Sequence, residues 1–167
     1  TFNKGQGYVR RQVEGWNARY RQARTDDVPD AESVMAWLAD RQPADVAACV
    51  IHNDWRFDNI VLDPQNLASV KAVLDWELAT VGDPFMDLGS AMAYWVQADD
   101  EPGMQAFRMQ PSTADGMPTR AEFVTEYCRR AGRDRPDWLF YEVYGLFRLA
   151  GIAQQIWYRY YHGQTSN

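Results

Sequence analysis

Apolar side chains recur along this chain with two different periods. From Tyr8 to Ala23 they fall at Val9, Val13, Trp16 and Tyr20, spaced four, three and four residues apart, which places them on one stripe of an amphipathic helix. Pro29-Asp30 opens a second helix with Asp30 as its N-cap, and Val34, Trp37 and Leu38 face inward until Pro43 ends it. Asp45 to Ile51 reads as a short buried strand. The period then shortens. Ile60 to Asp63 and Val70 to Leu74 are brief β-branched apolar runs, separated by the turn-rich stretch Asp63-Pro64-Gln65-Asn66-Leu67-Ala68-Ser69. An antiparallel hairpin with its midpoint near Leu67 is expected. After a loop at 80–84, Asp83 caps and Pro84 begins a helix running to about Gln97. Ala98 to Pro118 has no periodicity and reads as loop. Thr119-Arg120-Ala121-Glu122 is a capping box opening a helix to about Ala131, and Pro136 starts a last helix to about Tyr161. With Leu139, Phe140, Val143, Tyr144, Phe147, Ala150 and Ile156, that helix is apolar nearly all round and is expected to cross the core. The fold class is therefore α+β, mostly helical, as one domain over residues 1–167 with a small β-hairpin.

Composition narrows the class of protein. Seven Trp, nine Tyr and seven Phe among 167 residues supply a large core. A formal net charge of −6 argues against nucleic acid or an anionic membrane as partner. Cys49 and Cys128 make no disulfide framework, and Cys49 sits in an apolar run as a buried thiol. The longest apolar helix is broken by Glu142, Arg148 and Arg159, so no membrane span is expected, and without a signal sequence the expected location is cytoplasmic.

The chemistry concentrates in His52-Asn53-Asp54-Trp55-Arg56-Phe57-Asp58-Asn59 and, sixteen residues after Asn59, Asp75-Trp76-Glu77. In kinase-type sites a loop Asp orients the acceptor hydroxyl and takes its proton. An Asn five residues on and an Asp after the next hairpin hold the magnesium ions that bridge the nucleotide phosphates. Asp54, Asn59 and Asp75 have that spacing. Residues 59 and 75 are equidistant from Leu67, so a hairpin spanning about 13–17 Å would set them side by side at its open end. An H-x-D triplet alone carries little weight, because Asp and Asn near strand ends commonly cap turns. Metallohydrolases use the same triplet, yet they want several imidazoles, and this chain has only His52 and His162.

Together with Val73-Leu74-Asp75-Trp76-Glu77 and Gly82-Asp83-Pro84-Phe85-Met86-Asp87-Leu88, these motifs resemble the C-terminal lobe of the aminoglycoside phosphotransferase family, whose fold is protein-kinase-like. Within it the chain is most similar to kinase-like domains found alone in bacteria or fused to some acyl-CoA dehydrogenases. Gly7-Tyr8-Val9 to Trp16, and Pro118-Thr119-Arg120 through Leu146-Phe147-Arg148-Leu149-Ala150, extend the likeness over nearly the whole chain. The resemblance implies Asp54 as catalytic base, Asn59 and Asp75 as ligands of Mg2+ and so of ATP, and His52 as a packing residue of the loop. It implies that Asp87 braces the loop by accepting from its N–H groups, the alternative being an Asp favoured by the dipole of a helix's first turn. Arg56 pairs with Asp58 or touches a phosphate. Asn53 departs from the family's Gly but tolerates positive φ. Arg148, in an apolar helix, requires a buried acceptor, with a carboxylate near the site as the natural candidate.

A kinase-type site also has a smaller N-terminal lobe with a phosphate-covering loop and a lysine. Lys4 alone precedes the catalytic loop and Lys71 lies in the hairpin, so the N-terminal nucleotide-binding lobe is expected to be absent from this chain. The chain then represents one lobe of a truncated, proteolysed or incompletely encoded enzyme. The expected function is an ATP- and Mg-dependent small-molecule kinase lobe acting on an acceptor hydroxyl and inactive alone. The alternative is a non-catalytic kinase-like binding or oligomerisation module. The subgroup resemblance points to a hydroxyacyl-CoA acceptor. Trp157, Tyr158, Tyr160 and Tyr161 either pack or cage an ammonium group. A homodimer partner or the missing lobe would cover any exposed apolar face.

Overall fold

A computed structural model describes residues 6–165, and Lys4 lies outside them. The elements follow in the order α1 (Tyr8–Ala23), α2 (Glu32–Asp40), β1 (Cys49–Ile51), β2 (Ile60–Asp63), β3 (Asn66–Val73), β4 (Thr80–Gly82), α3 (Pro84–Met92), α4 (Pro102–Ala106), α5 (Arg120–Ala131) and α6 (Trp138–Tyr161). The strands form two separate antiparallel ribbons, β1 with β4 and β2 with β3. The first ribbon was not anticipated, since Thr80–Gly82 reads as loop in sequence.

The stripe on α1 buries Val9, Val13 and Tyr20 as its spacing predicts, with Trp16 packed at the rim of the core. Its N-terminus has no cap of its own. Gly7 adopts φ +88°, and the carboxylate of Asp45 accepts from the N–H groups of Gly7, Tyr8 (3.0 Å) and Val9 (2.9 Å). Asp45 is thus a cap for a distant helix rather than the start of a strand, and regular strand begins only at Cys49. Helix α2 starts one turn position later than expected: Asp30 accepts from the N–H of Glu32 at 3.1 Å, but the N-cap residue is Ala31. Met35 and Leu38 carry its burial, while Val34 and Trp37 are half-buried.

Helices α3 and α6 form the centre. Their crossing is closed by glycine: a Cβ at Gly145 would meet the Gly89 carbonyl oxygen at 2.1 Å, and one at Gly89 the Tyr141 oxygen at 2.5 Å. Tyr141, Tyr144 and Phe147 of α6 are buried against Phe85, Met86 and Met92 of α3. Each such side chain contributes about 1.5–3 kcal/mol relative to exposure. The all-round burial expected of α6 is not found, because Leu139, Leu146 and Ile156 face solvent. Helix α3 also ends at Met92, short of Gln97, and the supposed loop contains α4. That segment is held by polar contacts that periodicity cannot reveal. Arg120 donates to both oxygens of Asp100 at 2.6 Å and to the Trp95 carbonyl at 2.9 Å. Ser112 donates to the Val96 carbonyl at 2.7 Å. The capping box at Thr119 and the N-cap at Asp83 form as the sequence predicts.

Candidate active site

Strand β1 delivers the chain directly into His52, whose buried ring is a strut. Its Nε2 lies 2.7 Å from the Leu74 carbonyl, which can only accept, so Nε2 carries the proton and Nδ1 accepts from the Asp54 N–H at 3.2 Å. The ring also packs on Trp76, with centroids 4.8 Å apart. Asn53 adopts φ +65°, the left-handed conformation that Asn tolerates. Asp87, in the first turn of α3, accepts from the His52 N–H at 2.9 Å and the Asn53 N–H at 2.8 Å. The two readings of this residue are therefore compatible, since one carboxylate occupies both the helix start and the loop. Burial pushes its pKa up, against the opposing pull of the two N–H bonds. Asp83 is fully buried one turn earlier, capping α3 through the N–H groups of Phe85 and Met86 and accepting from the Val46 N–H at 2.7 Å.

Asn59 ends a tight turn over Phe57–Asn59 and is buried. Its Nδ2 donates to the Asp54 carbonyl at 2.8 Å and to Asp54 Oδ2 at 3.3 Å, which leaves the carboxamide oxygen as the atom able to face a cation. The expected hairpin register is off by one. Ile60 pairs with Val73, and the Leu74 N–H donates to the Asn59 carbonyl at 2.8 Å, so Leu74 rather than Asp75 stands opposite Asn59. The turn lies at Pro64-Gln65, nearer β2 than supposed, and register shifts on both sides of Leu62 absorb the extra residues of β3. Asp75 follows at φ +62°, exposed, and opens a turn over Trp76–Leu78. Asn59 and Asp75 still flank the hairpin's open end. Two oxygen donors are far from a complete shell, and among the described residues no group of three or more His, Cys, Asp or Glu could hold a metal by itself. The pair does suit a hard cation whose remaining ligands are phosphate oxygens and water, the usual arrangement for magnesium.

Arg56 leans on both neighbouring carboxylates, 3.6 Å from Asp54 and 3.7 Å from Asp58, and its guanidinium lies 5.4 Å above the Tyr94 ring. The Arg56–Asp58 pair read from sequence is present but shared with Asp54. Arg148 differs from expectation: its acceptor is the Asn53 carbonyl at 2.9 Å, not a carboxylate, and Trp16 stacks beneath it at 5.4 Å. Sequence reasoning also missed Gln110, whose carboxamide accepts from the Phe57 N–H at 3.0 Å and donates to the Tyr94 carbonyl. Nothing in its polar, aperiodic surroundings marks it. A cavity of about 280 Å³ lies behind the loop, lined by Val50, Trp55, Leu88, Phe123 and Tyr127, and neither Asp54, Asn59 nor Asp75 reaches it. The aromatic end of α6 forms an exposed cluster around Trp157, whose indole N–H donates to Asp27.

The model of the phosphotransferase enzyme family, APH, matches residues 1–142. The chain belongs to that family. Acyl-CoA dehydrogenase family member 10 of Mus musculus is 38% identical over the whole chain, and family member 11 of Rattus norvegicus is 35% identical over 99% of it. A crystal structure from Ralstonia eutropha JMP134, provisionally described as an aminoglycoside phosphotransferase, superposes with a TM-score of 0.83 at 35% identity over 99% of the chain. The chain spans only 16% and 21% of those two dehydrogenase-family proteins, and half of the solved one. The superposition, with a mostly helical chain carrying small antiparallel ribbons, fits an α+β kinase-like architecture. Among the described residues no helix is long and apolar enough to cross a membrane.

Proposed function

We propose that this phosphotransferase-family chain is the C-terminal lobe of an ATP- and magnesium-dependent small-molecule kinase. The observation that carries the reading is the bonding of Asn59 to Asp54 at the mouth of the hairpin that also presents Asp75. Asp54 would accept the proton of the acceptor hydroxyl, its carboxylate held by Asn59 Nδ2 and the nearby Arg56. Asn59 and Asp75 would hold magnesium, which when bound neutralises charge on the nucleotide phosphates. His52 and Asp87 fix the loop backbone from His52 through Asp54. A hydroxyacyl thioester of coenzyme A is the acceptor class we favour, on the likeness to acyl-CoA dehydrogenase family members. Lys71 bonds Asp63 at the hairpin tip, so it is not placed to pair phosphates, and the chain alone is expected to be inactive. Leu74, Trp76 and Leu78 beside the site are exposed, and we assign them to contact with the other half of a two-lobe enzyme rather than a second copy.

Calorimetric titration with ATP, with and without magnesium, tests the reading. Binding should require magnesium, disappear in Asp75→Asn and persist in Asp54→Asn, because the base is not a metal ligand. Absence of binding at millimolar nucleotide would leave the chain as a binding module. Sedimentation that shows a dimer would assign the apolar face to a second copy.

A further inference from the structure

Asn53 stands where the resemblance expects glycine, at a φ of +65° that glycine adopts without steric cost. An asparagine retained only for conformational tolerance would leave its side chain idle. Here each of its polar groups is engaged. The N–H donates to Asp87 at 2.8 Å and the carbonyl accepts from Arg148 at 2.9 Å. The side-chain oxygen accepts from the Tyr8 hydroxyl at 3.2 Å, and Nδ2 donates to the Leu78 carbonyl at 3.0 Å. Chemistry fixes this orientation, because a carbonyl can only accept and so must face the amide nitrogen. Burial pushes the Tyr8 pKa up to about 12, so its hydroxyl keeps the proton it donates at neutral pH.

The placement of these bonds matters. His52 and Asn59 bond to Leu74, on the strand side of Asp75. Asn53 bonds to Leu78, on its far side, at the close of the turn that Asp75 opens. Asp75 is thus gripped from both flanks by the segment that carries Asp54. We infer that Asn53 is a positioning residue whose carboxamide, anchored by Tyr8, clamps the far flank of the Asp75 turn to the catalytic loop. The functional meaning of the clamp rests on the roles proposed above for Asp54 and Asp75, whereas its mechanical part does not.

Asn53→Gly separates the two, since it keeps the backbone conformation and the bonds to Asp87 and Arg148 and removes only the carboxamide. Tyr8→Phe removes only the anchor. The Ala79 N–H, bonded to the Trp76 carbonyl at 3.0 Å, reports on the turn, and the Leu74 N–H reports on the strand side. In hydrogen exchange followed by NMR on the full chain, Asn53→Gly should speed exchange at Ala79 about fivefold or more, the equivalent of one lost hydrogen bond. Leu74 should stay within about twofold, marking the opening as local. Tyr8→Phe should give a smaller rise. The double variant should exceed Asn53→Gly by nothing, because the hydroxyl acts through the carboxamide. Magnesium-dependent ATP affinity should fall in the same order. Unchanged exchange at Ala79 in Asn53→Gly overturns the clamp, as does a double variant whose effect is the product of the singles. If exchange rises while no variant nor the parent binds ATP, the nucleotide reading fails and the clamp stands. If all bind ATP equally and Ala79 is unmoved, the clamp fails and the nucleotide reading stands.

Discussion

Asp87 shows how one carboxylate can serve a loop at a cost to its own ionisation. Burial raises its pKa, so the charged form is penalised in the folded chain, and that penalty grows as pH rises through the window above the ordinary carboxylate value. Asp87→Asn removes the penalty but can satisfy only one of the two N–H groups of His52 and Asn53 with its oxygen. One lost bond costs about 1 kcal/mol, so the melting midpoint at neutral pH should move by less than about 4 °C. Amide exchange at His52 and Asn53 should nevertheless accelerate, measurable by NMR. A fall in midpoint well beyond that range would show that the carboxylate holds the core rather than the loop. At this scale the sequence made the loop contacts legible: His52 as a packing and hydrogen-bonding residue, Asn53 at positive φ and Asp87 accepting from loop N–H groups. It did not disclose Gln110 or the carbonyl acceptor of Arg148, since both depend on partners brought in from distant segments.

At the scale of elements, local signals predicted local outcomes. The four-three-four stripe of α1 and the capping box of α5 depend on neighbours a turn away, and both form where the sequence places them. Boundaries set by distant groups were not readable. Helix α3 stops at Met92 although Ala93 to Val96 remain apolar, because Arg120 and Ser112 capture the Trp95 and Val96 carbonyls. The hairpin register slipped for a related reason: two irregularities beside Leu62 leave no mark in the hydrophobic pattern. The α3–α6 crossing gives a sharper test. Gly145→Ala would drive a methyl into the Gly89 carbonyl and should destabilise by about 3 kcal/mol or more, read as a lower urea midpoint. Gly103→Ala, in α4 with open space around it, should instead stabilise by about 0.5–1 kcal/mol.

For the whole molecule, acid response is set by carboxylates pulling in opposite directions. Asp100 is held below the usual range by its hydrogen bonds from Arg120, so its stabilisation is present above the unfolded value and is lost as pH falls through that range. Asp83, raised by burial, acts in the opposite sense. Asp100→Asn should therefore lower the urea midpoint at pH 7 and shrink the difference between pH 7 and pH 3.5. An unchanged difference would assign acid sensitivity elsewhere. The Asp45 cap carries a consequence of another kind. Helix α1 obtains its N-terminal acceptor from a residue 36 to 38 positions downstream, after α2 has been laid down. Closing that loop is entropically expensive, so this contact belongs late on the folding pathway. Asp45→Ala should hasten unfolding and leave the refolding rate nearly unchanged in stopped-flow chevrons, a signature of a bond absent from the transition state. The molecule's grip on its first helix would then be a matter of lifetime: it governs how long the native state persists, not how quickly it is reached.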